Sequence, residues 1–500
     1  MTKVDQAGLE KVVHKTMNYW GIPGSVVSVC SREKELFTKS FGLRDTKNNL
    51  PVSNNTVFPI GSITKSFTAA AVALAVDQGM IEWHRPLVSY IPDFKLYDEM
   101  AEKRLTITDL LSHGSGLPPH NNFWYGSYHT RHELFKLVKH LEPAWDIRTR
   151  FCYQNLNYLM AGAVIEKITG SSWEDYTRQF LLEPLGLNNS SLKKAGLLAA
   201  DDYALPHKQG SDGEFVTFPV LDIEACAPAG GLNMSIADFM KWATLHLNRG
   251  MHEGKKIIPA RGMDYMWQVH LGNVDILPFS LPEIPFTNYG LGCYVMPYRG
   301  HRMILQGGNI EGYVAALFIF PDRDLAISVM ANMHEANLYM LSTALTLADH
   351  ILGLELINWD DRCMDQVQLF LAEEEKHAEQ QQAAFENNRK TGTEPTHDLR
   401  AYTGTYLHPG YGELKVDLRG GELKVTHNDN RELLKYYDRG TFTLNHYHYN
   451  TFSALIAGLS GVYQGLVSFT LGKDGEVESI AVPFEPEVRD IVFTKKQKIQ

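Results

Sequence analysis

PIGSITKSFTAAAVALAVDQG, residues 59–79, is the stretch on which the reading of this chain turns. From Ser62 to about Gly79 it is rich in alanine, free of proline, and closed by a glycine where a helix C-terminal cap belongs. The pattern predicts a buried helix that opens at Ser62 and carries Lys65 one turn inside. An i, i+3 spacing puts two side chains on one face only within a helix. A serine hydroxyl beside a lysine amine shielded from water is what nucleophilic acyl transfer requires, and a helix N-terminus favours negative charge at the serine. S-x-x-K alone has little specificity, because it begins four times here, at Ser31, Ser62, Ser190 and Ser191. Ser31 sits in the polar turn CSREKE, and Ser190 and Ser191 in the polar loop NNSSLKK. Those contexts leave their lysines in water. For Ser62 itself, a helix-capping serine with a surface lysine is an equally ordinary reading of the motif taken alone.

Outward from this helix, residues 6–20 predict a helix, and GSVVSVCS (24–31) and KELFTKSFG (34–42) predict two strands. Residues 106–290 are mainly helical patterns broken by polar or proline-rich loops. Strands return as HRMILQGGN (301–309), GYVAALFIF (312–320) and LAISVMANM (325–333), with a hairpin turn at Pro321–Asp324. A helix follows over about 335–353. The expected fold is α+β within the broad α/β class: one antiparallel sheet built from both ends of the region, flanked by helices, with a helical insertion between its halves. Composition shifts near residue 360, where AEEEKHAEQQQAAFENNRKTGTEPTHD is charged and lacks an apolar face. Beyond it, ELKVDL and ELKVTH flank Gly420–Gly421 as an alternating hairpin, and the remainder reads as a small all-β barrel or sandwich. The expected division is a catalytic region 1–358, a charged helical linker 359–397, and a β module 398–500. A chain ending near Thr393 is expected to fold.

The 500 residues carry a net charge of −11 without a long basic run, which argues against nucleic acid or an anionic membrane surface as the main partner. Ala69–Val76 is the most apolar run and is far shorter than the ~20 residues of a spanning helix. The N-terminus lacks a secretory pattern. Five scattered cysteines, Cys30, Cys152, Cys226, Cys293 and Cys363, have no metal or redox spacing. They read as reduced and suit a cytoplasmic protein, with a secreted chain whose leader has been trimmed as the alternative. Twenty histidines include no H-E-x-x-H, and the glycine pairs form no phosphate-binding fingerprint. No metal or cofactor is expected.

Two further motifs accompany Ser62. Tyr153-Gln154-Asn155 precedes an apolar helical pattern. A phenol near a lysine can shuttle a proton, and an asparagine amide can fix the lysine and substrate. Gln306-Gly307-Gly308-Asn309 lies on a strand, where paired glycines permit close approach and a following N–H can serve an oxyanion hole. Separately, a buried core tyrosine and a β-bulge explain these two just as well.

Together, six collinear blocks resemble the penicillin-binding-protein and β-lactamase family, which includes class C β-lactamases, D-amino-acid-specific peptidases and family VIII esterases. The blocks are PIGSITKSFTAAAVALAVDQG, LTITDLLSHGSGLP, RFCYQNLNYLMAGAVIEKITG, PLGL, APAGGLNMSIADFMKW and EGYVAALFIFPDRDLAISVMANM. The resemblance covers roughly residues 8–350. It implies Ser62 as nucleophile, Lys65 as general base, Tyr153 as proton shuttle and Asn155 as positioner, with the oxyanion held by the N–H groups of Ser62 and Asn309. Gln306 and Gly308 are expected to position substrate, and Phe123, Trp124 and Tyr125 to line an acyl pocket, although packing explains that loop equally.

The departure is at Gln306, where relatives carry Lys-Thr-Gly, His-x-Gly or Trp-x-Gly. Loss of the cation favours a neutral ester, thioester or amide over a β-lactam. The β module resembles the lipocalin-like domain that follows the catalytic region in many relatives. The expectation is a serine hydrolase of small-molecule acyl donors, esterase-like, with homo-oligomer formation left open. A transesterase passing the acyl group to an alcohol shares the first half-reaction, and a non-catalytic or filament-forming scaffold is the reading from a different class.

Overall fold

The computed structural model describes residues 5–276, 279–428, 440–458 and 461–497. They form two compact units that do not follow the chain in linear order. The first holds residues 1–92, 105–114 and 157–371, and the second 93–104, 115–156 and 372–500.

The first unit is built on an antiparallel sheet. Helix α1 (Gln6–Trp20) leads into β1 (Gly24–Cys30), β2 (Glu35–Asp45) and the short β3 (Leu50–Pro51). After α2 (Thr64–Asp77) and α3 (Ile236–Leu247) come β4 (Asn288–Tyr289), β5 (Tyr294–Tyr298), β6 (His301–Ile310), β7 (Tyr313–Phe320), β8 (Leu325–Ala331) and α4 (Asn337–Leu352). The strand order is β4-β5-β6-β7-β8-β1-β2-β3, so strands from both ends of the region meet where β8 pairs with β1. Every residue of β1, β7 and β8 is buried, because helices cover both faces. This is why GSVVSVC, YVAALFIF and LAISVMA are continuous apolar runs rather than alternating ones. On one face α1 and α4 supply Val13, Met17, Leu345 and Leu347 to the core; α3 lies against β1, β7 and β8.

The charged segment after residue 358 begins as part of this core. Trp359 is fully buried and donates to Asp349 at 2.8 Å, and Asp360 accepts from Trp20 at 2.9 Å. The rest of the helix Trp359–Asn387 is mostly exposed. Among the described residues, no helix is long and apolar enough to cross a membrane.

The second unit contains a closed eight-stranded antiparallel barrel, β9 (Gly404–His408), β10 (Gly412–Arg419), β11 (Glu422–His427), β12 (Thr441–His448), β13 (Thr451–Gly458), β14 (Gly461–Leu471), β15 (Val477–Val482) and β16 (Ile491–Lys495). Gly420 and Gly421 both adopt positive φ and make the two-residue turn between β10 and β11. The same unit ties the barrel to residues 115–156. The buried His120 ring lies 2.6 Å from the Tyr411 hydroxyl and 3.0 Å from the Glu142 carbonyl, and its backbone N–H donates to Glu485. Arg489 pairs with Glu142 at 2.9 Å. Burial pushes His120 down to about 4 and, with Glu487 beside it, Glu485 up to about 8. A chain ending near Thr393 therefore loses Tyr411 and Glu485 and leaves the His120 side of this contact exposed, a cost that the sequence did not reveal.

Candidate active site

Gly61, at φ +50°, makes the turn that delivers Ser62 in a single 3₁₀ turn, Gly61–Ile63, at the start of α2. Almost every residue of α2 is buried, as its apolar circumference demands. Thr64 is fixed by its hydroxyl donating to the Gly61 carbonyl at 2.7 Å and accepting from Leu232 N–H at 3.1 Å. Lys65 is only 1% exposed. Its Nζ lies 2.9 Å from Ser62 Oγ and donates to the Ala229 carbonyl at 2.9 Å. The Tyr158 ring centre sits 5.5 Å from Lys65 Nζ, and Tyr158 itself is held by its hydroxyl donating to the Leu111 carbonyl. His113 stands 5.2 Å behind that ring; burial first, and Lys65 second, push it well below its ordinary pKa. Neither the Ala229 carbonyl, Tyr158 nor His113 was singled out from sequence, although APAGGLNMSIADFMKW, RFCYQNLNYLMAGAVIEKITG and LTITDLLSHGSGLP contain them.

The other three S-x-x-K matches lack this arrangement. Ser31 turns its hydroxyl to the Lys34 carbonyl at 3.3 Å, and Ser190 donates to Asp238 at 2.8 Å. Ser191 lies on the same two-residue strand as Ser190. Among the described residues, only Ser62 has the amine of its motif lysine within hydrogen-bond reach.

Strand β6 passes Ser62 with its backbone. β5 pairs with β6 only as far as Leu305, while β7 follows it to Ile310. Gln306–Ile310 thus present one edge that no described strand covers. A Cβ added to Gly308 would stand 1.9 Å from the Ile60 carbonyl oxygen and 2.9 Å from Ser62 N, and one on Gly61 would stand 2.9 Å from Asn309 N. The two chains approach so closely that neither position admits a side chain. Gly307 differs, since a Cβ there would meet nothing within 4 Å.

Gln306, expected from sequence to position substrate, is held among core side chains. Its side chain is 1% exposed, accepts from Trp242 Nε1 at 3.0 Å and donates to His246 Nε2 at 3.1 Å. Trp242 in turn stacks on Phe67 of α2, ring centres 3.7 Å apart. Gln306 shares its strand face with Gly308, which is pressed against Ile60–Ser62, and its partners Trp242 and His246 commit its amide to the core. Burial pushes His246 down to about 3 and keeps it neutral, so this slot carries no charge.

Tyr153 and Asn155 belong to the second unit, at the start of the helix Asn155–Thr169. Gln154 between them is anchored by donating to Ser115 at 3.1 Å and to the Leu117 carbonyl at 2.7 Å. Phe123 and Trp124 are buried and Tyr125 is half-buried. Phe123 lies edge-on to Tyr411 of the barrel at 6.0 Å.

Comparison with known proteins gives the family. The profile of the β-lactamase family matches residues 9–350. The chain belongs to the β-lactamase family. It is a serine hydrolase of that family, and residues 388–495 match a separate domain of unknown function. The chain is 26% identical to the unguisins hydrolase ungD of Aspergillus violaceofuscus over 96% of its own length and 88% of that protein. The octameric penicillin-binding protein homologue of Pyrococcus abyssi superposes with a TM-score of 0.63 at 21% identity, covering 98% of this chain and all of that one. A D-stereospecific amidohydrolase from Streptomyces sp. superposes with a TM-score of 0.56 at 19% identity, over 70% of this chain and all of that one. These two likenesses concern the fold.

Proposed function

We propose that this chain hydrolyses a neutral ester or amide through an acyl-enzyme on Ser62. The observation that carries the reading is Lys65 Nζ, buried and 2.9 Å from Ser62 Oγ. Ser62 Oγ attacks the carbonyl carbon while Lys65, as the amine, takes the hydroxyl proton. The carbonyl oxygen becomes an oxyanion facing the N–H groups of Ser62 and Asn309. Collapse breaks the bond to the leaving group, which receives a proton by way of Tyr153; water then enters by the reverse sequence. Asn155 orients Lys65 and the substrate. The name of the Aspergillus relative supports hydrolysis as the outcome.

The test is labelling of the intact protein with a fluorophosphonate, followed by peptide mapping. One adduct on Ser62, absent in Ser62→Ala, is expected. An adduct on Ser31, Ser190 or Ser191, or undiminished labelling of Ser62→Ala, overturns the assignment.

A further inference from the structure

Residues 115–125 of the second unit run between two anchors. At one end lies Gln154, the buried residue between Tyr153 and Asn155; its amide donates to Ser115 Oγ at 3.1 Å and to the Leu117 carbonyl at 2.7 Å. At the other end His120 is seated on the barrel. Its backbone N–H donates to Glu485, and Asn122 Nδ2 donates to the Phe484 carbonyl at 3.5 Å. Only Pro118 and Pro119 lie between Leu117 and His120, and each ring fixes its own φ. A displacement of His120 is therefore carried to Leu117 rather than absorbed on the way.

The His120 ring is held in one tautomer. Burial pushes it down to about 4, so it is neutral at neutral pH. Nε2 faces the Glu142 carbonyl at 3.0 Å; a carbonyl only accepts, so Nε2 carries the proton. Nδ1 therefore accepts from the Tyr411 hydroxyl at 2.6 Å. The His120 backbone is left-handed, at φ 44° and ψ 42°, a conformation that a residue with a Cβ keeps only where its surroundings enforce it. Its bonds to Glu485, Tyr411 and Glu142 supply that enforcement. Two of those partners come from barrel loops, Tyr411 between β9 and β10 and Glu485 between β15 and β16.

We propose that the barrel positions Tyr153 and Asn155, with His120 and Gln154 as the positioning residues that link them to it. The inference rests on Tyr153 as the proton shuttle to the leaving group and adds that the barrel governs this delivery. In acylation the Ser62 oxygen bonds to the carbonyl carbon and the bond to the leaving oxygen breaks. The serine proton passes by Lys65 and Tyr153 to that oxygen. A misplaced Tyr153 therefore slows donors whose leaving group must be protonated and spares those that leave as stable anions.

The experiment measures kcat/KM of the full chain for p-nitrophenyl, phenyl and ethyl acetate, in order of increasing need for a proton. Tyr153→Phe sets the scale: ethyl acetate should lose on the order of 10²–10⁴, and p-nitrophenyl acetate less than about tenfold. Tyr411→Phe keeps the ring and removes the hydroxyl at His120. It should lower the ethyl-to-nitrophenyl ratio by about tenfold, and His120→Asn, which tolerates the left-handed backbone, by about a hundredfold. Tyr406→Phe is the control, because its hydroxyl bonds within the barrel, to the Tyr402 carbonyl at 2.7 Å. It should lower the melting temperature without moving the ratio. If His120→Asn does not fold, Tyr411→Phe carries the test. An unchanged ratio in Tyr411→Phe, or an equal fall of the ratio in Tyr406→Phe, overturns the inference and leaves Tyr153 in its role. A Tyr153→Phe variant without leaving-group dependence removes that role, and the inference with it.

Discussion

Ser62 stands where a helix and a strand meet, and the two bring opposite resources to it. α2 contributes side chains: a hydroxyl, and a buried amine 2.9 Å away. β6 contributes backbone, with Gly308 and Asn309 pressed against Ile60–Ser62 and the long side chain of Gln306 turned into the core. The difference teaches where each segment is vulnerable. A changed side chain on the helix removes chemistry and leaves the fold, whereas a changed side chain on the strand alters either the approach of two backbones or the packing behind them.

The largest effect belongs to the helix. Lys65→Met keeps an unbranched apolar stem but removes the base, and should lower acylation by three or more orders of magnitude, as single losses from a nucleophile–base pair do. Stopped-flow release of nitrophenol measures it, and circular dichroism should show the fold retained. Rapid acylation in this variant would place the base elsewhere and end the contrast.

Next comes a pair of methyl groups on the strand. Gly308→Ala drives a Cβ to within 1.9 Å of the Ile60 oxygen, so the backbones must part and the oxyanion N–H groups lose their aim. The expected loss is roughly 10²–10³ in kcat, the range for a lost oxyanion donor. Gly307→Ala meets open space and should change kcat by less than threefold. Equal losses at the two positions would mean that the strand approach is not what matters.

The third effect is on stability. Gln306→Leu leaves Trp242 Nε1 and His246 Nε2 without their partner, at about 1–3 kcal/mol for each buried group. Gln306→Lys adds an ammonium to the same buried slot and should cost more. From sequence, that lysine would be expected to shift preference towards carboxylate donors by about tenfold, the worth of ~1.4 kcal/mol. With the side chain buried, a loss of melting temperature is expected instead, with little change in the ratio of a free-acid ester to its methyl ester. A tenfold gain for the free acid would show that position 306 does reach the substrate.

These two segments were not equally legible. The helix was readable because its chemistry lives in residue types at a fixed spacing: Ala-rich context separated Ser62 from Ser31, Ser190 and Ser191, and the structure supplies a buried lysine amine only there. The sheet was readable from its apolar runs and the Pro321–Asp324 turn, and the barrel from its Gly420–Gly421 turn. The core partners of Gln306 were not legible because a sequence shows which residue occupies a strand position but not what it packs against when both faces are buried. Trp359 and His120 were missed for a related reason. One sits in a charged run whose first turn is core, and the other finds its partners, Tyr411 and Glu485, nearly three hundred or more residues away.

The smallest effect is a pH dependence in the strand's backing. His246 accepts from Gln306 in a fully buried site, and burial pushes it down to about 3 from 6.5. Between pH 6.5 and about 3 the unfolded chain binds a proton at this residue and the folded chain does not. Stability must therefore fall as pH falls through that window, by at most about 1.4 kcal/mol per pH unit for one proton. Above pH 6.5 neither state is protonated and the contribution is flat. His246→Phe keeps a ring to stack on Trp267 but cannot bind the proton. It should be less stable than the native protein at pH 7, because the Gln306 amide loses its acceptor, yet it should lose less between pH 6.5 and 4.5. His120 and His427, each pushed down to about 4 by burial, act identically in both proteins and cancel in the difference. Urea unfolding at matched ionic strength measures it. Parallel curves for the two proteins would mean that His246 is charged in the fold, and that the slot behind the strand holds a cation after all.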